Sequence, residues 1–461
     1  MKHAAFHWGY IWAALALALF VGFAVGAHLS FILGFGFLPS PGFAGFIQVH
    51  GHIQLAGWAG LFIMGVGLHF LPRLAGAPLA WPRGLSWILW FMIVGLSLRA
   101  LAQAALPYVT AHNWFGVVSV LAVASGVLEF LGTALYVGLL LHTLYRVGRR
   151  ESRPALRAVR PYILTMLMGW SVYTCLNLVL LVAMAWQRRV VLPTTWHYIA
   201  IESFIGLVLL PVAFAFSIRL FPLYLRLSTS HDWSSRLVYA YLMSWLFQML
   251  PMIVTSQQMA SQGPLFVSQI GRSMKAGVVL WFVWRLRLFH QRRSVSKEKK
   301  EMASCQSLAV HKLFGPFERL IASAYIWLIL AASSDMIAGI ASLFGYDDMI
   351  NVGAIRHLYV FGFITLLIFG VSVRMMPGFV GQKRVAKPGL VTATLWLGNA
   401  AVFCRILLAG VPTALWQVLP GVVPGAQVAF ALSGLLGLVA VGCLSANLWC
   451  TAHQMREALS A

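Results

Sequence analysis

Between Gln48 and Arg73 the chain reads QVHGHIQLAGWAGLFIMGVGLHFLPR, an apolar run with two histidines at its entrance and a His, a Pro and an Arg at its exit. Twenty residues separate His52 from Pro72. At about 1.5 Å per helical residue that is roughly 30 Å, the thickness of a bilayer core. Comparable runs continue to the C-terminus and predict twelve membrane helices, near 8–34, 46–71, 85–107, 115–142, 161–186, 196–221, 237–260, 264–289, 320–345, 353–376, 389–411 and 426–450. The predicted fold class is an all-α polytopic membrane protein. The continuing runs argue against a cleaved signal peptide ahead of a soluble domain.

The polar marks within these spans repeat. Span two carries His52, Gly57, Gly65, His69 and Pro72, and span ten carries His357, Gly362, Gly370, Arg374 and Pro377, each displaced by 305 residues. Span six carries Glu202, Arg219 and Pro222, displaced by 150 from His52, His69 and Pro72 but without the glycines. Trp90 and Arg99 of span three recur as Trp396 and Arg405 of span eleven, displaced by 306. Spans four, eight and twelve end near His142, His290 and His453, each close to basic residues. Twelve spans therefore read as three quasi-equivalent groups of four. The units are about 1–150, 151–305 and 306–461 of a single membrane domain, with a basic linker loop at 290–315.

Composition fits this picture: 60% of the 461 residues are hydrophobic and 10% are charged, against about 25% charged in a soluble domain. A net charge of +22 raises the question of nucleic acid, but its placement answers it. Most of the 33 Lys and Arg lie at the N-terminus, after even-numbered spans or at the C-terminus. That is a positive-inside pattern, with both termini cytoplasmic. The partner it implies is the lipid bilayer, with anionic headgroups at the linker, and no nucleic acid. Five cysteines form no C-x-x-C and no C-x-x-C-H, so there is no zinc, dithiol or covalent haem signature.

Ionisable residues inside a membrane are costly and usually face a bundle interior. Spans two, six and ten run in one direction, so His52, Glu202 and His357 are expected at similar depth. Two histidines at matched depth on separate helices can supply the axial ligands of a haem iron. Arg99 and Arg405 can then meet the haem propionates. The alternative is that these groups satisfy one another in helix packing. His50 and His52 are about 200° apart on a helix, so both cannot face one haem. The repeat register selects His52, while His50 remains a loop residue, a second-site ligand or the true ligand of a slipped register. His50, His197 and Glu202 form a candidate copper site. Glu129 and Asp335 are candidates for a proton path or for structural hydrogen bonds. His28 and the histidines at span ends read first as structural or interfacial groups, and Trp81, Trp87, Trp186 and Trp196 as interfacial belt residues.

These residues carry a resemblance. Twelve spans in three groups of four are similar to the catalytic subunit of the haem–copper oxidases, where span ten carries H-x-H before an exit proline. The second histidine of that pair corresponds to His357 and the span-two ligand to His52. The first corresponds to Ile355, the span-six copper ligand corresponds to Glu202, and span seven has no His-His pair. The usual binuclear centre is therefore not expected. The run VHGHI (His50, His52) and the exits RLFP (Arg219 to Pro222) and RMMP (Arg374 to Pro377) more closely resemble the NnrS family, with Val49 and Ile53 departing from its W-H-x-H-E pattern.

The resemblance implies a b-type haem, copper, and a role in nitric oxide response, tolerance or denitrification at the bacterial inner membrane. It leaves the electron donor open. It also carries a tension: two strong axial histidines favour electron transfer over binding of nitric oxide or another diatomic ligand. Two other readings stay open: a haem–copper-oxidase-like oxidoreductase, such as a nitric oxide reductase or quinol oxidase, and a multi-span transporter without haem.

Overall fold

A computed structural model describes residues 6–147, 154–225, 227, 233–255, 262–289, 310–346, 350–410, 416, 418 and 420–460. His290 and most of the predicted basic linker lie outside the described residues. Among those described, secondary structure is helical throughout, with no strand. Eleven helices are long and apolar enough to cross a membrane: α1 (Trp8–Gly34), α2 (Phe43–Ala75), α3 (Gly84–Tyr108), α4 (Phe115–Val147), α5 (Leu156–Trp186), α6 (Thr194–Tyr224), α7 (Ser234–Val254), α9 (Phe317–Leu343), α10 (Val352–Phe379), α11 (Pro388–Ala409) and α12 (Pro420–His453). The eighth predicted span is also a helix, α8 (Gln262–Leu286). It carries Arg272, Lys275 and Arg285, and it falls outside that set of eleven.

Three helices are far more enclosed than the rest. The most apolar windows of α2, α6 and α10 are 89%, 83% and 78% buried, against 33–50% for the other eight. These are the second helix of each predicted group of four. They are also the helices that carry His52, Glu202 and His357.

The chain divides into two compact units. The first comprises Met1–Arg219 with Ser230–Arg272, and the second Leu220–Thr229 with Ser273–Ala461. Inside each unit the same packing device appears. An added Cβ on Gly65 would lie 2.7 Å from Tyr10 Cβ of α1, and one on Gly57 would lie 3.5 Å from a Leu17 methyl. In the second unit an added Cβ on Gly370 would lie 3.1 Å from Leu320 Cβ of α9, and one on Gly362 would lie 2.8 Å from Trp327 Cβ. Tyr10 and Leu320 are 310 residues apart, as are Leu17 and Trp327. Missing side chains let two membrane helices approach closely where lipid supplies no hydrophobic drive. The glycines that repeat along the sequence therefore repeat the same contact.

The backbone repeats as well. In α2, regular helix over Phe43–His52 gives way to a π-helical stretch, Ile53–Gly60, and then to regular helix over Leu61–Ala75. In α10 the π-helical stretch is Leu358–Thr365, displaced by 305 at both ends. In α6 it is Phe204–Leu209, directly after Ser203. A π turn widens the helix by one residue and is often found at functional sites. Here it begins within two residues of each of the three entrance side chains. A fourth occurs in α1, at Ala18–Phe23.

Candidate functional site

The two histidines of α2 point to different neighbours, as a separation of two residues on a helix requires. His50 turns to α1. Its Nδ1 lies 2.8 Å from the carbonyl oxygen of Gly22. A Cβ on Gly26 would come within 2.6 Å of the His50 ring, so the glycine leaves the space the imidazole fills. Gly22 lies in the π-helical stretch of α1, where the wider turn leaves backbone carbonyls less committed to the helix.

His52 turns to α4 and α5 and is held on both ring nitrogens. Nε2 lies 2.8 Å from Glu129 Oε2, and Nδ1 lies 2.8 Å from the Tyr173 hydroxyl. His52, Glu129 and Tyr173 are 4%, 1% and 3% exposed. Gly95 of α3 permits this approach, because a Cβ there would lie 2.9 Å from Glu129 Cγ. Tyr173 is braced from the side by Phe204, at the start of the π-helical stretch of α6, with ring centroids 4.6 Å apart.

Arg99 lies within electrostatic range of both Glu129 and Tyr173. A buried guanidinium needs a compensating anion, and Glu129 is the carboxylate that supplies it. An ionised carboxylate only accepts hydrogen bonds. His52 Nε2–H therefore donates to Glu129, and Nδ1 accepts from the Tyr173 O–H. Arg99 Nε donates to Gln103 Oε1 at 2.7 Å. Gln103 Nε2 donates in turn to Gln48 Oε1. Gln48 closes the chain on the loop before α6, its amide nitrogen 2.9 Å from Leu192 O and its oxygen 2.9 Å from Leu192 N. Seven residues from five segments thus make one buried polar string. Two atoms in it, Arg99 Nη1 and Glu129 Oε1, have no hydrogen-bond partner.

The second unit holds the span-ten site. Asn351 caps α10, its side-chain oxygen accepting from Gly353 N at 2.7 Å. His357, one helical turn later, places Nδ1 2.6 Å from Gly353 O. Arg405 lies with its guanidinium 4.5 Å from the centroid of the Phe430 ring, and its buried Nη1 has no hydrogen-bond partner. A third cluster joins α8, α9 and α10: Lys275 Nζ lies 3.5 Å from Asp335 Oδ2, and the Tyr359 hydroxyl lies 3.4 Å from the same oxygen. Arg374, at the exit of α10, lies between two rings, 4.9 Å from Tyr224 and 4.5 Å from Phe314.

The residues can be tested against a haem. Histidines that ligate metals usually fix one ring nitrogen on a carbonyl or carboxylate and present the other. His50 and His357 each have Nδ1 on a backbone carbonyl, which is the first half of that pattern. His52 fits only by releasing Glu129 or Tyr173. Arg99 and Arg405, repeat-related in sequence, each keep one buried donor unspent, which suits a propionate. Copper fits less well. Among the described residues no three His, Cys, Asp or Glu side chains gather closely enough to hold a metal ion, so His50, His197 and Glu202 do not form such a group.

Sequence reasoning missed Tyr173, Gln48, Gln103 and Lys275. Lys275 was open to detection, as an ammonium inside a predicted span. The amides and the tyrosine were not, because nothing in the local pattern says which helix they face.

No protein-family model and no curated relative matches the sequence. Among solved structures the chain is similar to that described as "Cryo-EM structure of a heme-copper terminal oxidase dimer provides insights into its catalytic mechanism". The TM-score is 0.68 at 13% sequence identity, over 96% of this chain and 83% of that one. The protein is thus a multi-span membrane protein with a haem–copper-oxidase-like helical fold.

Proposed function

We propose that this chain is a membrane haem protein and oxidoreductase of the NnrS type, acting in nitric oxide response or denitrification at a bacterial inner membrane. The observation that carries the reading is the pairing of fold and repeat. A helix plan like that of a heme-copper terminal oxidase covers 96% of the chain. Upon it, an α2 histidine and an α10 histidine recur at one offset, each directly followed by a π-helical stretch. The nitric oxide assignment rests on the VHGHI, RLFP and RMMP runs and their resemblance to NnrS proteins.

In this reading His357 and an α2 histidine would hold the iron of a b-type haem. The repeat register points to His52, and His50, two residues away, is the other α2 candidate. His50 is seated on α1, with Nδ1 on Gly22 O and its ring beside Gly26, and His52 lies between Glu129 and Tyr173. Arg99 and Arg405 would hold the propionates through their unspent donors. When bound, the haem would supply one-electron redox chemistry and a centre able to take a diatomic ligand. Gly353 O holds the His357 imidazole and Gly22 O that of His50. Ile355 and Glu202, at the positions of oxidase metal ligands, support a site without the usual haem–copper pair.

Purification in detergent, followed by metal analysis and absorption spectra with and without reductant, tests the reading. The expected result is haem bands that sharpen on reduction and shift on addition of nitric oxide. A chain with no haem, as a transporter would be, contradicts it.

A further inference from the structure

The loop that follows α10 is fastened to its neighbours through its backbone. Val385 N donates to Leu313 O at 3.0 Å, Ala386 N to Thr451 Oγ1 at 3.0 Å, and Lys387 N to Asn447 Oδ1 at 3.1 Å. Val385 itself is fully buried. Gly315, at a φ of 64°, lets the segment before α9 lie on the start of α11. A Cβ there would fall 2.7 Å from Val391 Cβ and 2.9 Å from Pro388 O. The loop is thus tied to the segment before α9 and to α12, all within the second unit.

Backbone atoms do the fastening, so the basic side chains are left to the surface. Lys383, Arg384 and Lys387 are exposed, as are Lys312 and Arg319 of the segment that the loop is tied to. Arg374, half-buried at the exit of α10, has its guanidinium against the rings of Tyr224 and Phe314, 4.9 and 4.5 Å from their centroids. A guanidinium stacked on rings keeps its planar N–H edge for an acceptor. Among the described residues none of these six side chains makes an ion pair. Glu318 is the one acid in the stretches 310–319 and 374–388. The cluster is therefore strongly positive and held in place.

Its level relative to the bilayer follows from α12. The turn that holds the loop through Asn447 and Thr451 also carries Trp449, which is 53% exposed and lies over His453 with ring centroids 4.2 Å apart. Exposed tryptophans of membrane proteins gather at the headgroup level. We propose that Arg374 and the basic loop Lys383–Lys387 form a binding site for the phosphate of an anionic phospholipid headgroup. Arg374 offers two parallel N–H donors to the phosphate oxygens, and Lys383, Arg384 and Lys387, with Lys312, supply the surrounding charge. A lipid whose headgroup adds its own cation gains less from such a cluster, so an anionic lipid is preferred over phosphatidylcholine. The site uses none of the residues assigned to the haem and goes beyond the functional reading above.

The test is lipid selectivity of the full-length protein, reconstituted in nanodiscs of phosphatidylcholine with a minor share of spin-labelled phosphatidylglycerol. The immobilised fraction of the label reports lipid held by the protein. Wild type is expected to hold phosphatidylglycerol in preference to spin-labelled phosphatidylcholine. The double variant Lys383→Gln with Arg384→Gln alters exposed side chains and leaves the fastening backbone bonds in place, so it is expected to fold. Its preference is expected to fall several-fold, at roughly fivefold for each charge removed. Arg374→Gln is expected to lower it as well. Arg188→Gln with Arg189→Gln removes the same charge from the exposed loop between α5 and α6 and is expected to leave the preference unchanged. A preference intact in the Lys383 and Arg384 double variant overturns the proposal, as does an equal fall in both double variants. Loss of the immobilised lipid on adding inorganic phosphate, at an ionic strength matched with chloride, also overturns it, because the site would then read free phosphate and not a lipid.

Discussion

Glu129 Oε2 and His52 Nε2, seventy-seven residues apart in sequence, meet at 2.8 Å in the interior of the first unit, with side chains 1% and 4% exposed. The histidine that the sequence repeat marks as an iron ligand is thus the middle member of a hydrogen-bond series. The same contact explains why an acidic residue sits within an otherwise apolar α4. It compensates Arg99, which sits buried in α3 beside Gln103.

Removing Glu129 leaves the Arg99 charge and the His52 N–H without their partner. Breaking a buried pair from one side costs about 3–5 kcal/mol. Glu129→Ala is therefore expected to lower the thermal midpoint in detergent sharply, and Glu129→Gln, which keeps an acceptor, to lower it less. Equal melting of Glu129→Ala and wild type would show that the pair does not contribute.

Lys275 and Asp335 offer the same test in the second unit, at 3.5 Å with both side chains buried. Lys275→Met alone is expected to destabilise by about 3–5 kcal/mol. The double variant Lys275→Met with Asp335→Asn is expected to regain much of that loss, because two neutral groups avoid the cost of one bare charge. Additive losses in a double-mutant cycle would deny the coupling.

The glycine seams can be probed with single methyl groups. Gly65→Ala and Gly362→Ala place a Cβ 2.7 and 2.8 Å from a neighbouring Cβ. Overpacking of this kind costs about 1–3 kcal/mol. Gly51→Ala, whose nearest neighbour would lie 4.0 Å away, is expected to be neutral or slightly stabilising, since alanine favours helix by about 1 kcal/mol. Unfolding midpoints of the three variants compare these directly, and equal midpoints would refute the seam.

Arg405 separates packing from ligand binding. Arg405→Met loses the stacking on Phe430, worth about 0.5–2 kcal/mol. If the guanidinium also holds a propionate, haem content of the purified variant is expected to fall further than stability does. Unchanged haem content with a lowered melting point would confine Arg405 to packing.

Much of this was legible in the sequence because membranes impose strong patterns. Span length follows bilayer thickness, and an internal repeat displays itself as matched marks. His52 and His357, Gly65 and Gly370, and Arg99 and Arg405 were all visible at nearly one offset. α8 was less legible as a crossing, since Arg272, Lys275 and Arg285 dilute its apolar character. Side-chain partners were not legible. That His50 faces Gly22 while His52 faces Glu129 depends on how α2 is rotated against α1, α4 and α5, and rotation is set by packing among helices that are all apolar. The π-helical stretches were hidden for the same reason: Ile53–Gly60 and Leu358–Thr365 share few residues that a local rule would flag.

The central claim is that an α2 histidine and His357 hold a haem. Absorption spectra of the reduced and oxidised protein, recorded for wild type and for His357→Ala, His50→Ala and His52→Gln, test it most directly. The account predicts haem bands in wild type, their loss in His357→Ala, and their loss in one of the two α2 variants, His50→Ala or His52→Gln. Haem absent from wild type, or bound undiminished in His357→Ala, would contradict it.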